Sequence, residues 1–260
     1  MLLTIMERKE FFKSMGLAGL ALAGFKVLNS CSNDDGTETG TGDTSGGDTS
    51  GGDTSGGDTT ADCIVAPSET EGPFPTINPA SLERNDIRSD RTGVPLAIDI
   101  TINDAGSNCA ALEGAIVDIW HCDKDGYYSE YGGTGMQQVN YTSVHFLRGR
   151  QITNAEGKVA FTSIFPGWYN GRATHIHVHI YDSAGHSLVV TQIAFPEGTD
   201  SAVALVNASS ENGYTKGLNG YTYNSQDNIF SDDDEGIEIA SVTGSVADGY
   251  NLTHTINVIA

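Results

Sequence analysis

The fifteen residues Pro166-Gly-Trp-Tyr-Asn-Gly-Arg-Ala-Thr-His-Ile-His-Val-His-Ile180 place one tyrosine, one arginine and three alternating histidines in a short span. In an extended strand successive side chains point to opposite faces, so His175, His177 and His179 share one face. Ile176, Val178 and Ile180 share the other, which reads as the core side of a sheet. Imidazoles on one face of a rigid strand can chelate a metal without a loop having to be ordered first. The plainer reading is a polar outer face that happens to be rich in histidine.

Working outward, short apolar or alternating runs recur at Leu96 to Ile102, Ala115 to Trp120, Lys158 to Phe161, His175 to Tyr181, Leu188 to Phe195, Ile237 to Val242 and Leu252 to Ile259. Turn signals separate them, among them Asp104-Ala-Gly106, Asp125-Gly126, Glu156-Gly157 and Asp248-Gly249. No amphipathic helix of ordinary length follows Cys63. This pattern predicts an all-β fold, an antiparallel β-sandwich, with long loops at 127–147 and 199–232 where function commonly sits.

The first 62 residues read differently. Arg8, Lys9 and Lys13 precede an apolar run from Met15 to Phe25, too short to span a bilayer, so residues 1–31 are expected to be a signal peptide. Leu28-Asn-Ser-Cys31 resembles a lipobox, which would make Cys31 a lipidated mature N-terminus. Arg8-Lys-Glu-Phe-Phe-Lys13 resembles a twin-arginine signal with lysine in second place. Residues 32–62 repeat Gly-Gly-Asp-Thr-Ser and hold eight acidic residues and no basic one. Nothing there can form a core, and the segment is expected to be a disordered tether. Export of a membrane-anchored lipoprotein is the expectation, with contact to the membrane through the lipid alone.

Residues 63–260 are long enough for one β-rich domain and carry 24 acidic and 9 basic residues, a net charge of −15. That surface argues against nucleic acid and anionic membranes as partners. No residue pattern assigns an oligomeric state. In an exported domain Cys63, Cys109 and Cys122 suggest one disulfide and one thiol. Cys122 follows the strand ending at Trp120 and is expected to be buried close to the histidines, which favours Cys63–Cys109.

A second cluster lies upstream. Leu112-Glu-Gly-Ala-Ile-Val-Asp-Ile-Trp120 enters a strand, and His121-Cys-Asp-Lys-Asp-Gly-Tyr-Tyr128 leaves it. Taken in order with Thr70-Glu-Gly-Pro-Phe74 and the Pro166–Ile180 stretch, these motifs resemble the intradiol ring-cleavage dioxygenases, non-haem Fe(III) enzymes, from about Cys63 to Ala260. The resemblance implies four iron ligands: Tyr128, eight residues after the motif tryptophan, Tyr169 closing the Pro-Gly-x-Tyr turn, and the pair His175 and His177. It also implies Arg172 and Gln192 as active-site groups that orient the aromatic ring and stabilise charge on it. Tyr169 would be both ligand and base. Tyr127, Tyr131 and His179 are expected to serve as wall or packing, and His121 to be buried and hydrogen-bonded.

The residue types make chemical sense on their own terms. Ferric iron is a hard cation that favours anionic oxygen, imidazole also suits iron, and a bound trivalent ion favours phenolate over phenol. The resemblance implies a catecholic substrate and O2, cleaved to a cis,cis-muconate. Three departures from cytoplasmic members stand out: only Asn170 and Gly171 separate Tyr169 from Arg172, the tether stands where a helical dimerisation domain would lie, and the chain is exported. They resemble a secreted, single-domain branch. Two other readings compete. His175, His177 and His179 with a further histidine could hold Zn(II) or Fe(II). Alternatively the sandwich could be a binding module on a surface lipoprotein, since sandwiches host many such functions.

Overall fold

The computed structural model describes residues 63–260; the leader and tether expected over residues 1–62 lie outside them. The alternation in Pro-Leu-Ala-Ile-Asp-Ile-Thr-Ile-Asn-Asp builds strand β1 (Pro95–Asp104), with Leu96, Ile98, Ile100 and Ile102 buried and Ala97 and Asp99 exposed. One edge of β1 pairs with β2 (Ala110–Ala111) and β5 (Lys158–Ile164), and its other edge with β9 (Gly249–Val258), which in turn pairs with β8 (Ser241–Ser245). The second sheet has the order β4 (Arg148–Ile152), β3 (Ile116–Trp120), β6 (His175–Tyr181) and β7 (Ser187–Ala194), antiparallel throughout.

The two sheets enclose the core. Ile176, Val178 and Ile180 of β6 are fully buried in it with Val117 and Ile119 of β3, the four apolar residues of β1, and Leu252 and Ile256 of β9. Burying a side chain of this size stabilises by roughly 1.5–3 kcal/mol, so the apolar face of β6 decides which way its histidines must point. They point to the far face of the second sheet, which is itself covered. The segment around Phe74 and the two long loops lie over it, so that His175 and His177 are buried as well.

The all-β sandwich agrees with the expectation, and three local features refine it. The β1–β9 pair is parallel, not antiparallel. β9 reaches β1 from a distant part of the chain through the β8–β9 hairpin, and a parallel pair needs a long connection of that kind. β4 was hidden in the sequence because Arg-Gly-Arg-Gln-Ile has no apolar alternation; Arg150 instead pairs with Asp118 on the neighbouring strand at 2.6 Å. The run Ile237 to Ala240, expected as strand, makes a single bridge from Ile239 to Ala194 before β8 begins. Its first amides, those of Ile237 and Glu238, donate to the Asp233 carboxylate and not to a sheet neighbour. The 199–232 loop holds a short helix, α1 (Ala202–Asn207), whose amino end is capped by the Ser201 hydroxyl accepting from the Ala204 amide.

Cys63 and Cys109 form a disulfide, and Cys122 is a buried free thiol. The bridge ties the start of the described chain to the β1–β2 connection. In the chain-entropy account, closing a loop across a separation of 46 residues stabilises by about 4 kcal/mol.

Candidate active site

Strand register assembles the floor of the site. Arg148, Trp120, His177 and Gln192 are directly paired across β4, β3, β6 and β7, and therefore form one row on one face of the sheet. The Trp120 indole stacks flat on the His177 imidazole, with centroids 4.9 Å apart and planes 3° from parallel. On another side Gly72 stands so close that a Cβ there would lie 2.9 Å from His177 Cε1, and its φ of +70° is a conformation that glycine adopts freely. The ring of His177 is thereby confined.

His175 lies one full repeat along β6. Its Nδ1 donates to the Ala173 carbonyl at 2.6 Å, which leaves the lone pair on Nε2. That Nε2 is 3.1 Å from His177 Nε2 and 3.2 Å from the Tyr128 hydroxyl. Burial keeps both imidazoles neutral by holding their pKa values well below the usual histidine range. Tyr128 is fully buried, stacked on Phe74 at 4.8 Å, and its loop is clamped by the Gln137 amide, which accepts from the Tyr128 amide and donates to the Tyr128 carbonyl. Burial, and next the neighbouring Tyr169, push the Tyr128 phenol well above its ordinary pKa, so a phenolate here needs a cation beside it.

Tyr169 completes the group, its ring 5.6 Å from that of His175 and 5.8 Å from that of Tyr128. It is the least buried of the four. Its hydroxyl accepts from Arg172 Nη1 at 3.4 Å. Burial raises the Tyr169 pKa while the guanidinium pulls in the other direction. Arg172 also donates through Nη2 to Gln192 Oε1 at 2.6 Å, and through Nε to both oxygens of Asp227 at 2.9 and 3.2 Å. Gln192 is oriented in turn by donating to the Thr70 carbonyl at 3.0 Å. Burial works against the charged guanidinium, yet Tyr169 and Asp227 outweigh it and leave the Arg172 pKa raised.

All six residues expected from the motifs are thus brought together. His179 is not with them: farther along β6 it meets Ser187 Oγ at 2.8 Å, the Tyr181 hydroxyl at 2.9 Å and Glu71 at 3.2 Å. His121 is buried with both ring nitrogens engaged, by the Cys122 carbonyl and Ser163 Oγ. Tyr131 donates to the Pro75 carbonyl, and Tyr127 packs near Tyr141. Sequence reasoning missed Asp227, Gln137 and Arg148. Arg148, a cation among apolar neighbours, had a visible signal; it is fully buried and donates to Ser129, to the Phe74 carbonyl and to Thr76. Asp227 had none, since a lone aspartate in a long loop belongs to no motif and to no periodic pattern that would single it out.

The donor set fits a ferric ion. Two imidazole nitrogens and a phenol oxygen face one another at 3.1 and 3.2 Å. Two donors that bind one ion at about 2.1 Å, at right angles, stand about 3 Å apart. Among the described residues no three His, Cys, Asp or Glu side chains gather into a chelating group. The all-histidine alternative draws on His179, which stands apart with Ser187, Tyr181 and Glu71; the side chains that do converge are a mixed phenol and imidazole set, which suits a hard trivalent ion. Above it opens a cleft of about 340 Å³, lined by Thr70, Met136, Tyr169, Asn170, Arg172 and Asn228 among others. A larger groove of about 890 Å³ runs along the sheet that contains β1 and gathers Asp99, Lys158 and His254 with threonines, but none of the six site residues.

Fold and site together define a β-sandwich protein with a paired tyrosine and histidine centre beneath an arginine–glutamine pair. The chain belongs to the intradiol ring-cleavage dioxygenase superfamily: the sequence model of the family described as Dioxygenase matches residues 71–229. Among solved structures, an intradiol ring-cleavage dioxygenase from Tetranychus urticae is similar at 28% identity with a TM-score of 0.65, covering 75% of this chain and 95% of that one. Among curated proteins, the chlorocatechol 1,2-dioxygenase of Rhodococcus opacus is 28% identical over 156 residues, covering 52% of this chain and 56% of its own length. The catechol 1,2-dioxygenase of Acinetobacter baylyi is 32% identical over 127 residues, covering 42% of this chain and 39% of its own length. The chain thus spans little more than half the length of these curated relatives, or less.

Proposed function

We propose that this chain is an Fe(III)-dependent dioxygenase that cleaves catecholic aromatics between the two hydroxyls with O2, giving products of the cis,cis-muconate type. The observation that carries the reading is the convergence of Tyr128, Tyr169, His175 and His177 beneath the Arg172–Gln192 pair. These four side chains would hold the ion, and the ion when bound would make a chelated catechol electron-rich enough to react with O2. Tyr169 is the residue placed to take a substrate proton at its hydroxyl oxygen, because it borders the cleft and the Arg172 guanidinium stabilises its anion. Arg172 and Gln192 would fix the ring and stabilise charge that develops on it, as preorganised groups that need no reorganisation during reaction. Trp120 and Phe74 keep water from the buried side of the centre. The names of the three relatives described above point to the same reaction class.

Purified protein should contain about one ferric ion per chain and show a visible tyrosinate band that shifts when catechols bind anaerobically. Tyr128→Phe should alter the band and His175→Ala should sharply weaken iron retention. Isotope-labelled O2 should place both oxygen atoms in a muconate. A colourless protein with stoichiometric zinc, or recovery of a semialdehyde, would overturn the assignment. We further infer from residues 1–62 that the chain is exported and anchored through a lipid on Cys31; mass spectrometry of the mature N-terminus tests it, and an unmodified terminus beyond Cys31 would exclude the anchor.

A further inference from the structure

We propose that the mouth of this site selects by charge, accepting catechols whose ring substituent is uncharged or cationic and rejecting those that carry a carboxylate; this rests on the catechol-cleaving reading above. Around the cleft stand Thr70, Gly72, Pro73, Met136, Asn170 and Asn228, all without charge. The single cation in the lining is Arg172, and it is committed. Each of its three nitrogens already donates to a protein group, Nε to Asp227, Nη1 to Tyr169 and Nη2 to Gln192. The Asp227 carboxylate, fully buried 2.9 Å from Nε, offsets part of its charge on the side away from Tyr169 and Gln192. A guanidinium receives a carboxylate best with a pair of parallel N–H groups, and three of the five N–H groups here are already on protein partners.

Among the described residues no other cation lines the cleft. Lys216 lies over the Trp168 ring at 3.7 Å and donates to the Trp168 carbonyl, Lys124 pairs with Asp125, and Arg148 is buried under Tyr128 and Tyr131. The neighbouring charge is of the opposite kind. Glu71, between the lining residues Thr70 and Gly72, is about half exposed and lies 3.2 Å from the His179 ring, and residues 63–260 sum to a net charge of −15. An incoming carboxylate therefore meets a field of its own sign and, at the rim, exchanges water for neutral polar groups such as the Asn170 and Asn228 amides and the Thr70 hydroxyl. A neutral substituent meets no such penalty, and a cationic one is drawn in. There is room for a substituent, since a Cβ added at Gly171, on the rim, would meet nothing within 4 Å.

The test compares 3,4-dihydroxybenzoate with 3,4-dihydroxybenzamide, which match closely in shape but differ in charge; the salt dependence of the difference separates charge from the ring electronics, which also differ. Binding to the iron-loaded full chain is measured anaerobically by calorimetry and by the visible band, and turnover is measured in air. The amide should bind roughly tenfold more tightly at low salt, within the range that a one-sign cleft produces. The gap should narrow as salt rises, because the charges at the rim are exposed to screening. Asn228→Lys should shift the ratio of the two ligands toward the carboxylate. Equal or tighter binding of the benzoate at low salt, with both compounds cleaved, would overturn the charge selection and leave the dioxygenase reading standing. Failure of the benzoate, the amide and catechol itself to bind or react would instead sink the reading on which the selection rests.

Discussion

Asp227 shows how one residue with no contact to the candidate iron ligands can set the chemistry above them. Its carboxylate accepts from Arg172 Nε and from the amides of Ala173 and Ile229, so it holds the guanidinium and the start of β6 together. Asp227→Asn keeps the shape and one acceptor but turns an NH2 group toward one of those donors. Loss of such an outer partner commonly costs 10–100-fold. The variant should therefore keep its iron and its catechol-induced colour change, measured by metal analysis and absorption, while kcat/KM falls roughly 10–100-fold. Loss of iron together with activity would show that Asp227 acts on the fold of the site and not through Arg172.

At the scale of elements, the site depends on two connections lying back to back. The turn after β3 carries Tyr128, and the connection from β5 to β6 carries Tyr169. Gly126, at φ +90°, lies so close to the second of these that a Cβ would stand 2.3 Å from the Trp168 carbonyl oxygen. Gly167 is equally tight against the first, where a Cβ would stand 2.3 Å from the Lys124 carbonyl oxygen, and its amide donates to the Asp123 carbonyl. Neither partner is a flexible side chain that can swing away, so the backbones must part. Gly126→Ala should lower stability by about 1–3 kcal/mol, as overpacking does, and should loosen iron by separating Tyr128 from Tyr169. Thermal melting and iron content, compared with Gly185→Ala in an open turn, check this. A Gly126→Ala protein with unchanged iron content would mean that the two connections are not what spaces the tyrosines.

For the molecule as a whole, burial of histidine makes stability depend on pH. Both nitrogens of His121 are bonded inside the protein, and burial lowers its pKa from 6.5 to about 4. As pH falls, the unfolded chain therefore takes up this proton before the folded one does. The stabilisation from keeping His121 neutral is complete above about pH 6.5 and is lost down to about pH 4, a change of roughly 3 kcal/mol for this group. Urea unfolding should show the wild type weakening between pH 7 and pH 5, and His121→Asn, which cannot take up a proton, should weaken less over the same interval. Equal slopes would show that other groups govern the acid limb.

The sequence by itself determined the all-β class and the histidine face of β6, and the motif resemblance named the six candidate residues that the structure brings together; among three thiols it only favoured Cys63–Cys109, and the structure made that choice. Each of these signals is local: alternation with a period of two assigns faces, and the resemblance to the family's motif favours Tyr128 over Tyr127. Only the tertiary structure decided the parallel alignment of β9 with β1, the edge strand β4, and the roles of Asp227, Gln137 and Arg148. Arg172 and Asp227 are 55 residues apart, and Arg148 reaches the Phe74 carbonyl across 74. Strand register and loop packing bring such partners together, and a short motif cannot encode them, because the contact exists only once the sheet has fixed which residues stand opposite one another.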